Sequence, residues 1–290
     1  MDQLLHQLFS GIAMGFVYGG IGLAFVMVYR STHHLNFAQG EMATFSALIA
    51  LALIDAGLPY WLAFAATLGT SFVIGAILEW LLMRRLASAQ TLGSVMVTVG
   101  LLMLFNSLSG FLFGYSARPV ASPFEGLPDI GFGLVSVHEI GVALVVLAMV
   151  AVLFAFFRFT KLGLGMRAAA YNPASARLVG VNVGLMRCLG WGIAGAIGAA
   201  VAVMVAPIVF LDPNMMMGIL VYGFAAALLG GLENPWGAVA GGLILGVLEN
   251  ILGAYVIPGE LKLSAALSII LVVLLFRPAG MFGRTIVKRV

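Results

Sequence analysis

The sequence predicts an all-α, polytopic integral membrane protein with about eight or nine transmembrane helices. Hydrophobic residues make up 62% of the 290 residues and charged residues 9%, with a mean hydropathy of +1.14, whereas about a quarter of the residues in a soluble protein are charged. Apolar runs of nearly twenty residues recur along the chain, and each can cross a hydrocarbon core of about 30 Å. The alternating strands of about ten residues that would indicate a transmembrane barrel are not visible in the sequence.

Nine apolar segments are predicted as membrane spans. They lie at 8–29, 38–54, 61–83, 91–114, 138–157, 188–207, 216–232, 237–257 and 263–277. The N-terminal M-D-Q-L-L-H-Q-L-F-S lacks the basic region and the small-residue cleavage site of a signal peptide, so we expect the first segment to be retained as a span.

Two of these segments are candidates for broken or re-entrant helices. The segment 38–54 begins A-Q-G-E-M-A-T, with Gln39 and Glu41 close to membrane depth, and the segment 216–232 is interrupted by glycines and followed by E-N-P-W-G. Short or glycine-interrupted segments in corresponding positions of two halves are typical of discontinuous helices around a substrate path. Irregular backbone at this depth is tolerated only where it is buried in protein or lines a cavity.

The stretch 158–187 separates two long apolar blocks and is predicted to lie outside the bilayer. It contains five of the chain's 14 basic residues and no acidic residue. Asn172 can cap a helix, Pro173 suits the first helical position and Gly180 supplies a stop. The stretch is therefore predicted to contain a helix of about two turns, which we interpret as a cytoplasmic docking helix for a soluble partner.

The distribution of basic residues indicates the orientation of the chain. With the 158–187 loop placed inside, alternation of nine spans leaves all but two of the 14 basic residues inside, Arg118 and Lys262 being the exceptions. This agreement with the positive-inside rule predicts a cytoplasmic C-terminus and an external N-terminus. If one of the two irregular segments does not cross, the N-terminus changes side.

Most of the 37 glycines are predicted to serve helix packing. Gly11, Gly15 and Gly19 form a G-x-x-x-G-x-x-x-G ridge on the first span, and Gly237 and Gly241 repeat the spacing. Small residues allow helix backbones to approach closely in lipid, where the hydrophobic effect no longer drives helix association. A pore-lining role for these glycines is the alternative.

Polar residues within spans are costly, which makes them candidates for function. Glu41 either lines a substrate path or stabilises the N-terminus of the second helix, where the helix dipole favours a carboxylate. Glu249 either contacts a substrate or gate, or makes an interhelical hydrogen bond. The candidates for a substrate path are Asn36, Phe37, Gln39, Gly40, Glu41, Asn106 and Glu249.

No sequence pattern indicates an enzyme, a metal site or a cofactor. A Walker A motif, a dinucleotide-binding glycine motif, a Ser-His-Asp set and zinc-ligand spacing are missing, and the single Cys188 cannot form an internal disulfide. The basic residues are spread over loops rather than gathered in a patch, so nucleic acid is not an expected partner.

Four stretches carry a resemblance to a known family. They are L-N-F-A-Q-G-E at 35–41, T-K-L-G-L-G-M-R-A at 160–168, L-G-G-L-E-N-P-W-G-A-V-A-G-G at 229–242 and F-R-P-A-G-M-F-G at 276–283. Together they resemble the permease subunit, of the LivH type, of the branched-chain amino acid ABC importer family, over nearly the full length of the chain. The resemblance implies that residues 1–290 form a single transmembrane permease domain with a cytoplasmic coupling loop at 158–187.

The resemblance also implies an assembly in the bacterial inner membrane. Two permease subunits, this chain with a sister subunit or a second copy, would enclose the path. Two cytoplasmic ABC ATPases, which would carry out ATP hydrolysis, and a periplasmic substrate-binding protein would be the further partners. The residues that the resemblance implies in ATPase coupling are Thr160, Gly163, Arg167, Asn172, Pro173, Ala174, Ala176 and Gly180.

The coupling loop departs from the pattern of other importers at one position. The sequence A-S-A-x-x-x-G at 174–180 is similar to the E-A-A-x-x-x-G pattern of many import permeases, with Ala174 in place of the glutamate. An ion pair made by that glutamate in other importers is therefore not carried over to this chain.

The sequence leaves the transported solute open. Permeases that this chain resembles serve leucine, isoleucine and valine, and related systems carry urea, short amides or other small organic acids. An ion-coupled secondary carrier, with Glu41 and Glu249 binding H⁺ or Na⁺, is an alternative from a different class. Such a carrier would not need the 158–187 loop in this form.

Overall fold

The structure, a computed structural model, describes residues 2–86, 91–125, 128 and 135–283. These residues are mainly α-helical, and the extended pairing among them is an isolated bridge between Arg118 and Leu211. The all-α prediction is therefore confirmed. The C-terminal residues 284–290, which the sequence predicts to be cytoplasmic, lie outside the described ranges.

Eleven α-helices are present in the described ranges. They are α1 (Asp2–Thr32), α2 (Gln39–Asp55), α3 (Tyr60–Leu81), α4 (Thr91–Phe113), α5 (Val137–Phe159), α6 (Lys161–Tyr171), α7 (Pro173–Leu178), α8 (Val183–Val209), α9 (Met216–Gly230), α10 (Pro235–Tyr255) and α11 (Lys262–Phe276). Short 3₁₀ turns follow α3 at Met83–Leu86 and precede α11 at Gly259–Leu261. Each of the nine predicted spans corresponds to one α-helix, and α6 and α7 occupy the predicted loop.

The helices fall into two length classes. In the described part of the chain, α1, α3, α4, α5, α8 and α10 are long and apolar enough to cross a membrane, so the protein is a multi-pass membrane protein. Helices α2, α9 and α11 have 17, 15 and 15 residues, or about 22–26 Å at 1.5 Å per residue. The first two are the segments for which the sequence predicts incomplete crossings, whereas the shortness of α11 is not apparent from its largely apolar sequence.

The chain divides into two compact units, and the predicted single domain remains a prediction. One unit comprises Met1–Val26, Phe124–Val146 and Ile219–Val290, and the other comprises Met27–Pro123 and Leu147–Gly218. We call them the α1–α10 unit and the α2–α8 unit after the helices that dominate their packing.

In the α1–α10 unit, glycines bring two helix backbones together. A Cβ on Gly15 would lie 2.7 Å from the Cα of Leu243, and a Cβ on Gly11 or Gly19 would be nearly as close to the backbone of α10. Since Cβ atoms essentially never approach so closely, these positions admit only glycine at this helix separation. The packing interpretation of the glycine ridge on α1 is confirmed.

The glycines of α10 form two faces rather than one. A Cβ on Gly242 or Gly246 would overlap the backbone of α1, whereas a Cβ on Gly237 or Gly241 would overlap the backbone of α9. The spacing of Gly237 and Gly241 thus serves packing, as the sequence predicts, but against α9. The α10 glycines that face the α1 ridge are Gly242 and Gly246.

In the α2–α8 unit, α8 is the central helix. Most of its apolar window is buried, whereas α3 and α4 are buried on one side only. Gly75 allows α3 to touch α8, because a Cβ there would overlap the carbonyl oxygen of Trp191. Helix α2 packs between α3, α4 and α8, which places the polar start of α2 inside this unit.

Candidate functional site

The start of α2 is a buried polar segment held by hydrogen bonds. The Asn36 Oδ1 accepts from the backbone N–H of Ala38 at 3.1 Å, and the Asn36 Nδ2 donates to the Gln39 Oε1 at 3.3 Å. The Gln39 Nε2 donates to the carbonyl oxygen of Ala194 on α8 at 3.0 Å. Gly198 makes room for that amide, since a Cβ there would overlap the Gln39 side chain. Gln39, which accepts a hydrogen bond from Asn36, therefore joins α2 to α8.

Glu41 lies in the first turn of α2, two residues after Gln39, and is 1% exposed. Its Oε2 accepts a hydrogen bond from the Asn106 Nδ2 of α4 at 3.2 Å. The N-cap of α2 is Ala38, which makes no side-chain cap bond. Glu41 stands in the first helical turn, where the dipole favours a carboxylate, but its hydrogen bond goes to another helix rather than to the N-terminus of its own.

Asn106 joins Glu41 to the segment before α9. Its Nδ2 lies 2.9 Å from the Asn214 Oδ1 and 3.3 Å from the carbonyl oxygen of Pro213, in addition to the Glu41 contact. An amide NH₂ has two hydrogens, so three acceptors share two N–H groups. Asn214 is exposed and Asn106 is half-buried. The cluster, which we call the Glu41 cluster, is thus rich in acceptors and open at its Asn214 end.

Of the remaining predicted path residues, Phe37 and Gly40 lie at the start of α2, and Glu249 lies in the α1–α10 unit. Gly40 is buried and Phe37 is half-buried, between Asn36 and Glu41 in the chain. Glu249 belongs to the α1–α10 unit, where its Oε2 accepts from the Tyr18 hydroxyl at 2.6 Å. The ring of Tyr18 stacks on Tyr222 with centroids 4.6 Å apart. Glu249 therefore makes an interhelical hydrogen bond, which is one of the two roles that the sequence allows.

The turn between α5 and α6 is sharp, and two predicted coupling residues form it. Thr160 caps α6, because its Oγ1 accepts from the backbone N–H of Gly163 at 2.9 Å. A Cβ on Gly163 would overlap the carbonyl oxygen of Phe156 and the Cα of Phe157. Gly163 is thus required for α6 to fold back against the end of α5.

Helix α7 has the local structure that the sequence predicts. The Asn172 Oδ1 accepts from the N–H groups of Ala174 and Ser175, both at 3.0 Å, and Pro173 is the first helical residue. Gly180 has φ of +84°, a conformation that glycine adopts without strain. The N–H of Gly180 bonds to the carbonyl of Arg177, and the next N–H bonds to the carbonyl of Ala176. This is the Schellman arrangement that ends helices.

One face of α6 and α7 packs against the rest of the protein, and the other face is exposed. Met166 and Ala169 on α6 and Ala176 on α7 are buried, whereas Arg167 and Ala174 are exposed. The exposed face also carries large apolar side chains, which are Leu164, Tyr171, Leu178 and Val179, at 59%, 94%, 89% and 77% exposure. Clustered exposed apolar residues outside a span are typical of a protein-binding surface.

Several residues of these sites are not identified from the sequence. Tyr18 lies in the glycine ridge and Asn214 in a short connecting segment, and neither position follows a motif. The polar hydroxyl of Tyr18 within an apolar span is the signal that identifies it. Helix α6 is also missed, although Thr160 is a good cap. Within the described residues, no group of three or more His, Cys, Asp or Glu is placed to hold a metal ion.

Comparison with protein-family models identifies the family. Residues 7–276 match the model described as "Branched-chain amino acid transport system / permease component". The chain belongs to this family. The match covers the spans of both units together with α6 and α7, so the resemblance seen in four sequence motifs extends over nearly the whole chain.

Individual relatives agree with this assignment. The chain is 29% identical to the high-affinity branched-chain amino acid transport system permease protein LivH of Escherichia coli (strain K12), over 99% of this chain and 97% of that protein. It is 28% identical to the corresponding permease BraD of Pseudomonas aeruginosa, over 99% and 98%. Among solved structures, PsaBC from Streptococcus pneumoniae in complex with Fab matches with a TM-score of 0.50 and 14% identity, covering 92% of this chain and 89% of that one. That last match supports the fold alone.

Proposed function

We propose that this chain is the permease subunit of an ATP-driven importer for branched-chain amino acids in the bacterial inner membrane. The observation that carries the proposal is the family match over residues 7–276. The capped pair α6–α7, with its exposed apolar face, supports docking of a separate ATPase. In this proposal the chain pairs with a sister permease or a second copy, and two ATPases and a periplasmic binding protein complete the assembly.

Contacts among α6 and the neighbouring ends of α1 and α5 support a coupling role for the 158–187 loop. The guanidinium of Arg30 on α1 lies over the ring of Phe157 on α5, 5.0 Å from its centroid. The His33 Nε2 lies 3.4 Å from the carbonyl oxygen of Ala170 on α6. Because α6 is joined to α1, α5 and α8, a partner that moves α7 would tilt these helices together, which is one route to alternating access.

The Glu41 cluster suits the ammonium group of an amino acid. An ammonium has three donors and no acceptor, and the cluster presents Glu41, Asn214 and the Pro213 carbonyl to a single amide donor. In this proposal Asn36, Phe37, Gln39 and Gly40 shape the buried side of the path. The direct bond to Tyr18 gives Glu249 a structural role and makes it the weakest of the path candidates.

Purification of the tagged chain from native membranes tests the assembly. Recovery of an ATPase and a second permease, followed by ATP-dependent uptake of leucine into proteoliposomes with the purified binding protein, is the expected result. Uptake of urea or a short amide instead of leucine would show that the proposed substrate class, branched-chain amino acids, is wrong. Uptake without ATP, driven by an ion gradient, would make the chain a secondary carrier and refute the proposal.

A matched pair of glycine variants tests coupling through α7. Gly180→Val and Gly57→Val both place a branched residue at positive φ, +84° and +92°, with no atom near the added Cβ, so the local strain is comparable. We expect Gly180→Val to abolish leucine uptake while the chain remains in the membrane, and Gly57→Val to retain uptake. Equal activity of the two variants would refute the coupling role of α7.

A further inference from the structure

The turn between α7 and α8 borders a cavity that contains three arginines. The cavity has a volume of about 510 Å³ and is lined by Arg84 after α3, Arg177 on α7, Arg187 on α8 and the backbone of the 180–184 turn. All of these residues belong to the α2–α8 unit. We call this feature the arginine cavity.

The arginine cavity has a strong positive charge with no acid in its wall. The described residues that line it include no aspartate or glutamate. The acidic residue of α3 nearest to it in the sequence, Glu79, is fully buried and accepts a hydrogen bond from the Cys188 Sγ at 2.8 Å. Like charges that lie close together repel one another, so an anionic group that enters the cavity would stabilise the arrangement.

Gly184 leaves room for the side chain of Arg84. A Cβ on Gly184 would lie 2.9 Å from the Arg84 NH₂ group, so this glycine allows the guanidinium to lie against the first turn of α8. The positive charge also reaches His34, whose pKa is lowered by burial first and then by Arg187 and His33.

The surroundings of the arginine cavity indicate a protein partner rather than lipid. Leu178 and Val179 follow Arg177 directly and are 89% and 77% exposed, so apolar and positive surfaces adjoin. Lipid headgroups form a broad layer and meet projecting side chains, whereas a recess accepts a side chain that projects from the partner. Guanidinium groups bind carboxylates through paired hydrogen bonds of defined geometry.

We propose that the arginine cavity receives an aspartate or glutamate side chain of the ATPase that docks on α7, with Leu178 and Val179 packing against the surface around that acid. This inference rests on the proposed function and adds that the ATPase contributes a negatively charged side chain to the contact.

Charge reversal in the full complex tests this inference. Arg177→Glu is the test variant, and Arg85→Glu is the matched control, since Arg85 adjoins Arg84 in the chain but does not line the cavity. The ATPase retained on the tagged permease is measured by quantitative mass spectrometry, with size-exclusion profiles confirming that each variant is folded. We expect Arg177→Glu to reduce retention by about tenfold or more, as loss of a buried charge pair does at other interfaces, and Arg85→Glu to retain most of it.

Charge exchange then identifies the acid. Surface aspartates and glutamates of the ATPase are replaced singly by arginine, and one of these variants should restore retention by Arg177→Glu permease. Normal retention by Arg177→Glu would overturn the inference while leaving the proposed function intact. Failure of the wild-type chain to retain any ATPase would overturn both. Loss of bound phosphatidylglycerol from Arg177→Glu, with the ATPase still retained, would identify a lipid as the occupant and overturn the inference.

Discussion

Glu41 and Glu249 are both carboxylates on apolar helices, and they have different surroundings. Glu41 is fully buried in the α2–α8 unit, and the amide of Asn106 joins it to the exposed Asn214. Glu249 is half-buried in the α1–α10 unit and accepts from the hydroxyl of Tyr18. The helices that carry Glu249 and Tyr18 are held by glycine contacts, whereas those that carry Glu41 and Asn106 are linked by polar side chains.

The comparison shows two ways in which a membrane protein accommodates an acid. Near Glu249, the helices are held by close backbone packing, so the hydrogen bond from Tyr18 to the carboxylate adds to an interface that is already formed. Near Glu41, the acid is part of a cluster with more acceptors than donors, which leaves capacity for a ligand. We therefore expect changes to the glycine packing to be damaging at the contact of α1 with α10, and changes to charge to affect transport most in the Glu41 cluster.

The largest effect is expected from Gly242→Val. The added Cβ would overlap the backbone of Gly19 on α1, and no side-chain rearrangement can relieve a backbone overlap. Overpacking typically costs about 1–3 kcal/mol and can cost more, so we expect little folded protein after detergent extraction, measured by fluorescence-detected size exclusion. The control is Gly100→Val on α4, where no atom lies near the added Cβ; an equal loss there would show that the backbone contact is not the cause.

Asn106→Leu should have the next largest effect. It removes the donor shared by Glu41 and Asn214 and leaves a buried carboxylate without its partner, which costs about 1–3 kcal/mol. A lower thermal unfolding temperature and loss of leucine uptake are expected together. Asn250→Leu is the control, because Asn250 makes one long bond of 3.4 Å to the Gln7 carbonyl. If both variants unfold at the wild-type temperature, the Glu41 cluster does not stabilise the unit.

Glu41→Gln separates charge from hydrogen bonding. The amide oxygen of glutamine can still accept from Asn106, so the unfolding temperature should change little. If the negative charge binds a substrate ammonium, uptake should fall by about tenfold, equivalent to about 1.4 kcal/mol. Glu249→Gln, which also keeps its acceptor, should leave uptake nearly unchanged. The comparison fails if the two variants lower uptake equally.

Tyr18→Phe is expected to have the smallest effect. It removes the hydroxyl that donates to Glu249 but keeps the ring that stacks on Tyr222. Interhelical hydrogen bonds in membranes contribute about 0.6 kcal/mol on average, so a small fall in unfolding temperature with near-normal uptake is expected, measured by a thermal-shift assay and leucine uptake. A large loss of uptake would give Glu249 a role in transport.

Local features of this protein are predictable from its sequence. The nine apolar segments each correspond to a helix, and the cap at Asn172, the proline at position 173 and the stop at Gly180 are all present. Such features depend on residues a few positions apart. The glycine ridge on α1 is equally visible, but its partner face on α10 is not, because Gly237 and Gly241 have the same spacing as the glycines that complete the contact.

Composition and turn chemistry therefore predict a multi-pass helical protein with a short capped helix between its spans. Which polar groups meet depends on how the helices pack against one another. Asn106 and Glu41 are 65 positions apart, and Asn106 and Asn214 are 108 apart. A helix that is apolar on all sides has no polar face to indicate its rotation, so the register at which two such helices meet, and with it the Glu41 cluster and the arginine cavity, arises only from their packing.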